Sequence, residues 1–565
     1  MLYKLIFLFT LIFLPLSIFA ATPNNKFGIS LAQPNNEQFP QVKELVNANG
    51  GDWGYITLII QENDRDRNKW QDIFNRLRQN HLIPIIRLAT EPEGENWRRP
   101  ETKDAQEWVD FLNSLNWVVK NRYVILFNEP NHGSEWGGEV DPKSYAEVSG
   151  EFAKKLKERS SDFFVMLAGM DASAPSWMPG LEDEEKFLRE VFQGSSEGQS
   201  LSASQLLRTD LIGLIDGLSS HSYPNPAFAG SPYASGRGTI RTYEWELGLL
   251  KQLGVTKELP VFITETGWKR GNENIVASNF QIAFDQIWGP DSRVEAVTPF
   301  VFDYQGAPFL EFSWKKYGSE EFYPQYSTVA SMSKIKGEPE QIEKGWINFK
   351  LPTDLVVQST YHFKVKLENQ GQAIWDKDFG YQIRLDEIGS NQIKSDSFIV
   401  DDLKDIDPFQ QKEVYFTLKT NENLGLKKIK FVLQKNDKNI LLSDYWNINI
   451  LPLPALKFET NFFPWGKGRG VNYEIQIFDI DDQLVYKKKN IFVKQGAGEL
   501  KDIQNIALGE LYRIVILKPY HLPRQEFVVF KKDNNIIKFK SLLPFDFNND
   551  GTFNFKDIVF IFKKN

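Results

Sequence analysis

The chain has 565 residues, 41% hydrophobic and 25% charged, and its 66 Lys and Arg against 74 Asp and Glu give a formal net charge of −8. This composition excludes a disordered chain, and the mildly acidic balance argues against a nucleic-acid binder, which carries a basic footprint. The absence of cysteine excludes a disulfide framework, thiolate metal sites and a cysteine nucleophile.

Residues 1–20 read as a secretory signal peptide. Lys4 precedes an apolar run from Leu5 to Ala20, interrupted by Thr10, Pro15 and Ser17, and Ala20-Ala21 places small residues at a cut. The run spans about 24 Å as a helix, short of the roughly 30 Å hydrocarbon core. An uncleaved N-terminal anchor is the alternative. No later window approaches the ~18 apolar residues of a membrane span. The expected location is therefore extracellular or at the cell surface, with no membrane span after cleavage.

From residue 22 to 335, short apolar runs alternate with longer amphipathic stretches. Eight runs stand out: Phe27–Ala32, Tyr55–Ile60, Ile83–Leu88, Tyr123–Phe127, Phe164–Ala168, Gly217–Ser220, Val261–Thr264 and Ala296–Phe302. Most are continuously apolar, as strands buried on both faces should be. Helical spacing appears between them, as in Trp108-Val109-Phe111-Leu112-Leu115. Eight strand–helix units in about 300 residues fit a (β/α)8 TIM barrel, with a doubly wound sheet as the alternative.

The pattern changes after the polar stretch Lys334–Glu340. In residues 346–452 apolar residues alternate with period two, as Tyr361, Phe363, Val365 and Leu367 do between His362, Lys364 and Lys366. This predicts a β-sandwich, and the stretch Phe363 to Trp375 resembles the immunoglobulin-like modules of bacterial surface proteins. Leu451-Pro452-Leu453-Pro454 marks a further boundary. A second β-rich domain over 453–543 alternates at Tyr473-Ile475-Ile477 and Tyr512-Ile514-Ile516, and residues 544–565 form a separate motif.

In a barrel of this kind chemistry sits at the C-terminal ends of the strands. The fourth expected strand ends Phe127-Asn128-Glu129-Pro130-Asn131, and the seventh ends Thr264-Glu265-Thr266-Gly267-Trp268. Two glutamates at corresponding strand ends suit glycosidic hydrolysis with retention, which needs two carboxyl groups roughly 5–5.5 Å apart across one sugar carbon. One attacks the anomeric centre. The other protonates the departing oxygen and later deprotonates water.

On these motifs the sequence resembles the clan A retaining (β/α)8 glycoside hydrolases over about residues 26–333. The Asn-Glu-Pro-Asn run is similar to family 39, and Asn-Glu-Pro also to cellulase-like family 5. The resemblance implies Glu129 as acid/base, Glu265 as nucleophile and Asn128 as partner of the sugar 2-hydroxyl. The run Ser220-His221-Ser222-Tyr223 resembles the clan's His-x-Tyr element, which implies that Tyr223 holds the nucleophile and that His221 lines the pocket. Arg87, ending the third strand, is a candidate guanidinium partner for Glu265. Strand eight departs from the clan, with Tyr304 near the place where many members carry Trp.

Aromatic residues reach 14%, with 15 Trp. Trp53, Trp97, Trp136, Trp177, Trp268 and Trp314 fall in expected loops, where exposed rings at a barrel mouth would receive sugar C–H faces. Trp136 and Trp268 are therefore candidate substrate platforms, and a row of platforms implies a polysaccharide.

At the tail, Asp546, Asn548, Asp550, Asn554 and Asp557 place oxygen donors at positions 1, 3, 5, 9 and 12 of a loop with Gly551 at position 6. A carbonyl from Thr552 completes an EF-hand-type calcium set. With Asp at position 12 the loop resembles a dockerin repeat, although only one repeat is present; the resemblance implies a cohesin-like or cell-surface partner, with a calcium-stabilised cap as the alternative. No catalytic cofactor is expected, because neither a zinc-ligand spacing nor a phosphate-binding Gly-rich fingerprint occurs in the barrel. The leading expectation is a secreted retaining β-glycosidase acting on a polysaccharide. A noncatalytic glycan-binding adhesin built on the same barrel, and an inverting mechanism with carboxyls ~6.5–9.5 Å apart, are the alternatives.

Overall fold

The computed structural model describes residues 24–193, 211–388, 403–436, 438–464 and 466–563. The expected signal peptide, residues 1–20, lies outside them. The chain divides into two compact units, Met1–Ile342 and Glu343–Asn565.

All eight expected strands of the first unit form: β1 Gly28–Leu31, β2 Gly54–Gln61, β3 Leu82–Ala89, β4 Arg122–Leu126, β5 Phe163–Leu167, β6 Leu218–His221, β7 Val261–Glu265 and β8 Val294–Val297. β1 to β5 pair in sequence order and β6 to β8 likewise, every pair parallel. Parallel bridges Met166–Gly217 and Phe27–Val297 join β5 to β6 and β8 to β1. The sheet therefore closes on itself as an eight-stranded parallel barrel, and the doubly wound alternative falls. The strand-eight expectation ran too far. Beyond Val297 the Thr298 hydroxyl turns onto the Thr264 carbonyl at 3.0 Å and the Val301 amide bonds Phe312, so the ladder gives way to the loop that follows.

Helices α1 Phe39–Asn47, α2 Arg67–Gln79, α3 Ala105–Ser114, α4 Pro142–Arg159, α5 Glu184–Gln193, α6 Thr242–Gln252, α7 Glu273–Ile282 and α8 Pro324–Ser331 surround the barrel. Their starts follow from capping chemistry: the side chains of Asp66, Asp141 and Asn272 accept the first free amides of α2, α4 and α7. Their apolar stripes face the sheet, Trp70, Ile73, Phe74 and Leu77 on α2 and Trp108, Val109 and Leu112 on α3. Tyr123, Phe164 and Phe262 fill the barrel interior with ring centroids 5.0 to 5.4 Å apart. Packed side chains of this kind make the barrel a rigid support rather than a pore.

The second unit is β-rich. Strands Gly345–Asn348, Thr360–Asn369 and Gln411–Lys419 form one antiparallel sheet. Tyr381–Ile388, Gly425–Lys435, Trp446–Leu451 and Asp354–Val356 form another, and a buried core lies between them. The period-two reading holds with one partial exception: Tyr361, Val365 and Leu367 are buried and Phe363 half-buried, while His362, Lys364 and Lys366 are exposed. Residues 453–543 build a second core around Tyr473, Ile475, Ile477, Tyr512, Ile514 and Ile516. The two β domains are less separate than the Pro-rich boundary suggested. Ala507–Leu508 adds to the edge of Asp354–Val356, and the Tyr361 hydroxyl donates to the Ile506 carbonyl at 3.0 Å. Helix Phe555–Lys563 closes the described chain, and no described helix is long and apolar enough to cross a membrane.

Candidate active site

Glu129 follows the C-terminal end of β4, and Glu265 is the last residue of β7. The barrel brings both to one place. Ligand oxygens of Glu129 and Glu265 and a ring nitrogen of His221 all lie within 4.8 Å of one another, the one such His/Asp/Glu group among the described residues. His221 Nδ1 is 2.8 Å from Glu129 Oε1 and 3.9 Å from Glu265 Oε2. Arg87 donates through Nη1 both to Glu265 Oε1 and to Asn128 Oδ1, the latter at 2.6 Å. The Tyr223 hydroxyl donates to Glu265 Oε2 at 3.0 Å. Arg87, Asn128, His221 and Tyr223 thus surround the carboxyl pair. The trio Glu129, His221 and Glu265 could in principle hold a metal ion, but a cation there would compete with the Arg87 guanidinium for Glu265 Oε1.

The backbone around Glu129 is strained. Phe127 has φ +73° and Glu129 φ +28°, a left-handed region in which a side chain is costly. The surroundings hold it there. The Glu129 amide donates to the Gly169 carbonyl at 3.2 Å, and the buried Asn131 side chain donates to the carbonyls of Asp171 and Glu182. Gly169 also makes room for the imidazole. A Cβ at this position would meet the His221 ring at 2.2 Å, so only glycine leaves space for that ring beside the chain after β5.

The charges settle differently on the two carboxyls' neighbours. Burial pushes Glu265 up, but His221, Arg87 and the Tyr223 hydroxyl outweigh it and hold it below the ordinary carboxylate range. Burial pulls His221 down, and the facing charges of Glu265 and Glu129 more than restore it, leaving it above its usual value. Tyr223 is driven well above 10 by burial and by Glu265. It stays a donor.

Three groupings escaped the sequence reading. Glu135, in the turn Gly133–Glu135 after β4, hydrogen-bonds to the Asn128 side chain and is pushed up to about 7 by burial and by Glu129. His132 Nε2 lies 2.9 Å from Asp171 Oδ2, which its hydrogen bonds hold down at about 2 against burial. Behind β6, Glu184 of α5 and Glu246 of α6 are buried together, 0% and 2% exposed, and Glu246 hydrogen-bonds to Ser220. Burial raises both, and the first is raised further by its neighbour's charge. The spacing of a single Glu in a loop or on a helix gives no signal for any of these.

The tryptophan platforms need correcting. Trp136 is 0% exposed, locked edge-on between Phe127 and Tyr145, and Trp268 is 4% exposed, its indole N–H donating to the Gly230 carbonyl at 2.8 Å. Both pack the loops from beneath, because an indole beside a strand end finds more apolar contact inward than toward water. Trp314 is buried too, and Trp53 precedes β2, at the opposite end of the barrel, stacked on His81. Trp177 alone of the six is strongly exposed, at 82%. Tyr304 is half-buried against Phe309 and makes no hydrogen bond to either carboxylate among the described residues. The aromatic wall beside Tyr223 consists of phenylalanines: Phe228 and Phe312 pack edge-on against it at 5.1 and 6.1 Å.

In the tail loop, Asp557 is buried and its carboxylate accepts the amides of Asn548 and Asn554 at 3.3 and 2.9 Å. Gly551 donates to Asp546 Oδ2 at 3.1 Å, while Asp546 Oδ1 is buried without a partner. Burial and the charges of Asp557 and Asp550 raise Asp546. An orphaned, electron-rich oxygen among acidic neighbours fits a hard cation.

No family model matches the chain, and no curated protein matches it. Among solved structures it is similar to an endo-β-1,4-glucanase from Xanthomonas axonopodis pv. citri carrying a triple mutation, at 11% identity over 54% of this chain and 98% of that one, TM-score 0.36. An endo-β-1,4-mannanase from Thermotoga petrophila matches at 10% over 76% and 99%, TM-score 0.30. A monomeric β-xylosidase from Caulobacter crescentus CB15 matches at 13% over 71% and 98%, TM-score 0.36.

Proposed function

We propose that the barrel is a retaining glycoside hydrolase that cuts O-glycosidic bonds of a polysaccharide. The observation that carries this reading is the pair of carboxyls at the ends of β4 and β7, with oxygens inside 4.8 Å of each other. That spacing suits a nucleophile and its partner on one sugar. In the first step Glu265, kept ionised by His221 and Arg87, bonds to the anomeric carbon. The C–O bond to the leaving group breaks, and its electron pair takes the proton from Glu129. In the second step water attacks the same carbon, Glu129 accepts the water's proton, and the Glu265 ester bond breaks with return of the carboxylate. The His221 contact keeps the Glu129 carboxyl aimed at that proton, and Tyr223 orients the attacking oxygen. Asn128, with its carbonyl oxygen turned to Arg87, offers its amide N–H to the sugar.

Secretion is supported by the Lys4-plus-apolar pattern of residues 1–20. Calcium in the tail loop, held by Asp546, Asn548, Asp550, Thr552, Asn554 and Asp557, would neutralise the carboxylates and stabilise the fold of the loop. The exposed apolar residues Phe555, Ile558 and Ile561 of the following helix support docking of a cohesin-like or cell-surface partner.

The test is a polysaccharide panel with two variants. Glu265→Gln is expected to abolish turnover while leaving binding, and Glu129→Ala to slow poor leaving groups far more than activated aryl glycosides. Undiminished turnover in Glu265→Gln, or equal losses on both substrate types in Glu129→Ala, would refute the assignment.

A further inference from the structure

Residues 453–543 hold fifteen Lys and Arg against ten Asp and Glu, a basic block in a chain of net charge −8. Several of these cations meet an acid: Lys487 and Lys489 share Glu474, Arg513 holds Asp482, Lys501 faces Glu499 and Lys538 faces Glu459. Lys467, Arg469 and Lys494 do not. All three are exposed, none meets a carboxylate among the described residues, and all line one open cleft of about 680 Å³.

The cleft lies where the short strands Asn461–Phe462 and Gly466–Lys467 meet the start of Gly470–Phe478 and the end of Leu484–Val493. Phe462 and Phe492 add aromatic rings to the lining, and Phe492 is 62% exposed. Lys518 adds a fourth charge, its Nζ 5.9 Å from the Phe462 ring and 4.2 Å from that of Tyr473. The frame beneath is fixed by backbone: Gly496 donates to Gly468 at 2.6 Å, Gly468 to Thr460 at 3.2 Å and Thr460 back to Gly496 at 2.8 Å. The position demands glycine at 496, whose φ is +84° with its missing Cβ 3.1 Å from the Thr460 carbonyl.

Like charges gathered in a concave place repel one another and focus the field outward, an arrangement that favours an anion. A guanidinium takes a carboxylate in a two-pronged bond, lysines add point charges, and ring faces receive apolar C–H surfaces. The volume falls in the range of ligand sites. We infer that this cleft binds an acidic saccharide, its anionic groups on Lys467, Arg469 and Lys494 and a sugar face on Phe492. The choice of a sugar over a polynucleotide rests on the proposed glycosidase activity.

The experiment uses the intact chain carrying Glu265→Gln, titrated calorimetrically at fixed salt with polygalacturonate, dextran sulfate, a neutral glucan and a single-stranded polynucleotide. Binding to an acidic polymer is expected, and whether polygalacturonate or dextran sulfate binds better tells carboxylate from sulfate recognition. Lys467→Ala/Arg469→Ala/Lys494→Ala should weaken it at least ~10-fold and reduce its salt dependence; Phe492→Ala should weaken it several-fold. No binding to either acidic polysaccharide, equal binding of the neutral glucan, tighter binding of the polynucleotide, or indifference to either variant would overturn the inference. Turnover of an aryl glycoside, measured in parallel on the otherwise wild-type cleft variants, should be unchanged. If Glu265→Gln leaves that turnover intact, the glycosidase reading fails while the binding result still stands or falls by itself.

Discussion

Removing the Arg87 charge is expected to move the acid limb of the pH–rate profile. Arg87 faces a Glu265 carboxylate that is only 9% exposed and donates directly to it. Two unit charges about 4 Å apart interact by about 4 kcal/mol at an effective dielectric of 20, an upper bound once solvent and the competing donors are counted. His221 and the Tyr223 hydroxyl also hold Glu265 down and remain in the variant, so the loss is a fraction of that bound. Losing that attraction raises the Glu265 carboxyl back toward the ordinary carboxylate range. The sign follows: a carboxyl proposed as nucleophile must be ionised, so raising it costs activity at low pH and little at high pH. In Arg87→Met the acid limb of kcat/KM, measured on an aryl glycoside with a good leaving group, should shift upward in pH. A loss of the same factor at every pH, with the limb unmoved, would refute the idea that Arg87 acts by keeping Glu265 ionised.

Burial and Glu129 push Glu135 up to about 7 beside the Glu129–Glu265 carboxyl pair, so Glu135→Gln should remove one inflection near that pH from the kcat/KM profile; an unchanged inflection would assign it elsewhere. Glu184 and Glu246 have folded-state values raised above the unfolded one, so the stability they contribute is present at acid pH and lost as pH rises through the folded value. Glu184→Gln should therefore raise the melting temperature more at pH 8 than at pH 5, by a few degrees for about 1 kcal/mol, and a uniform shift would contradict the shared burial. Trp136→Ala should cost about 3–5 kcal/mol of barrel stability, whereas Trp177→Ala should leave thermal unfolding unaltered. Calcium at millimolar concentration should protect the tail loop of the full chain from proteolysis, with Asp546→Ala abolishing the effect.

Much of the fold was legible because buried parallel strands write themselves as short apolar runs, and the barrel uses each of the eight. Glu129 and Glu265 could be singled out because strand ends are places the fold itself specifies. What the sequence hid depends on closure. Glu135 matters through Glu129 and Asn128, and Glu184 through Arg237 and through Glu246, sixty-two residues away on another helix. The tryptophans misled for a related reason: a loop position says where the backbone runs, not which way an indole turns, and Trp136 turns onto Phe127. Likewise Pro452 and Pro454 mark a change of core but could not reveal that Ala507–Leu508 would pair back onto Asp354–Val356.

The most direct measurement is the configuration of the first product. Proton NMR of a substrate digest, read before the free sugar mutarotates, should show the newly released reducing end with the same anomeric configuration as the bond cleaved. An inverted first product would contradict a mechanism in which Glu265 bonds to the sugar and Glu129 then activates water.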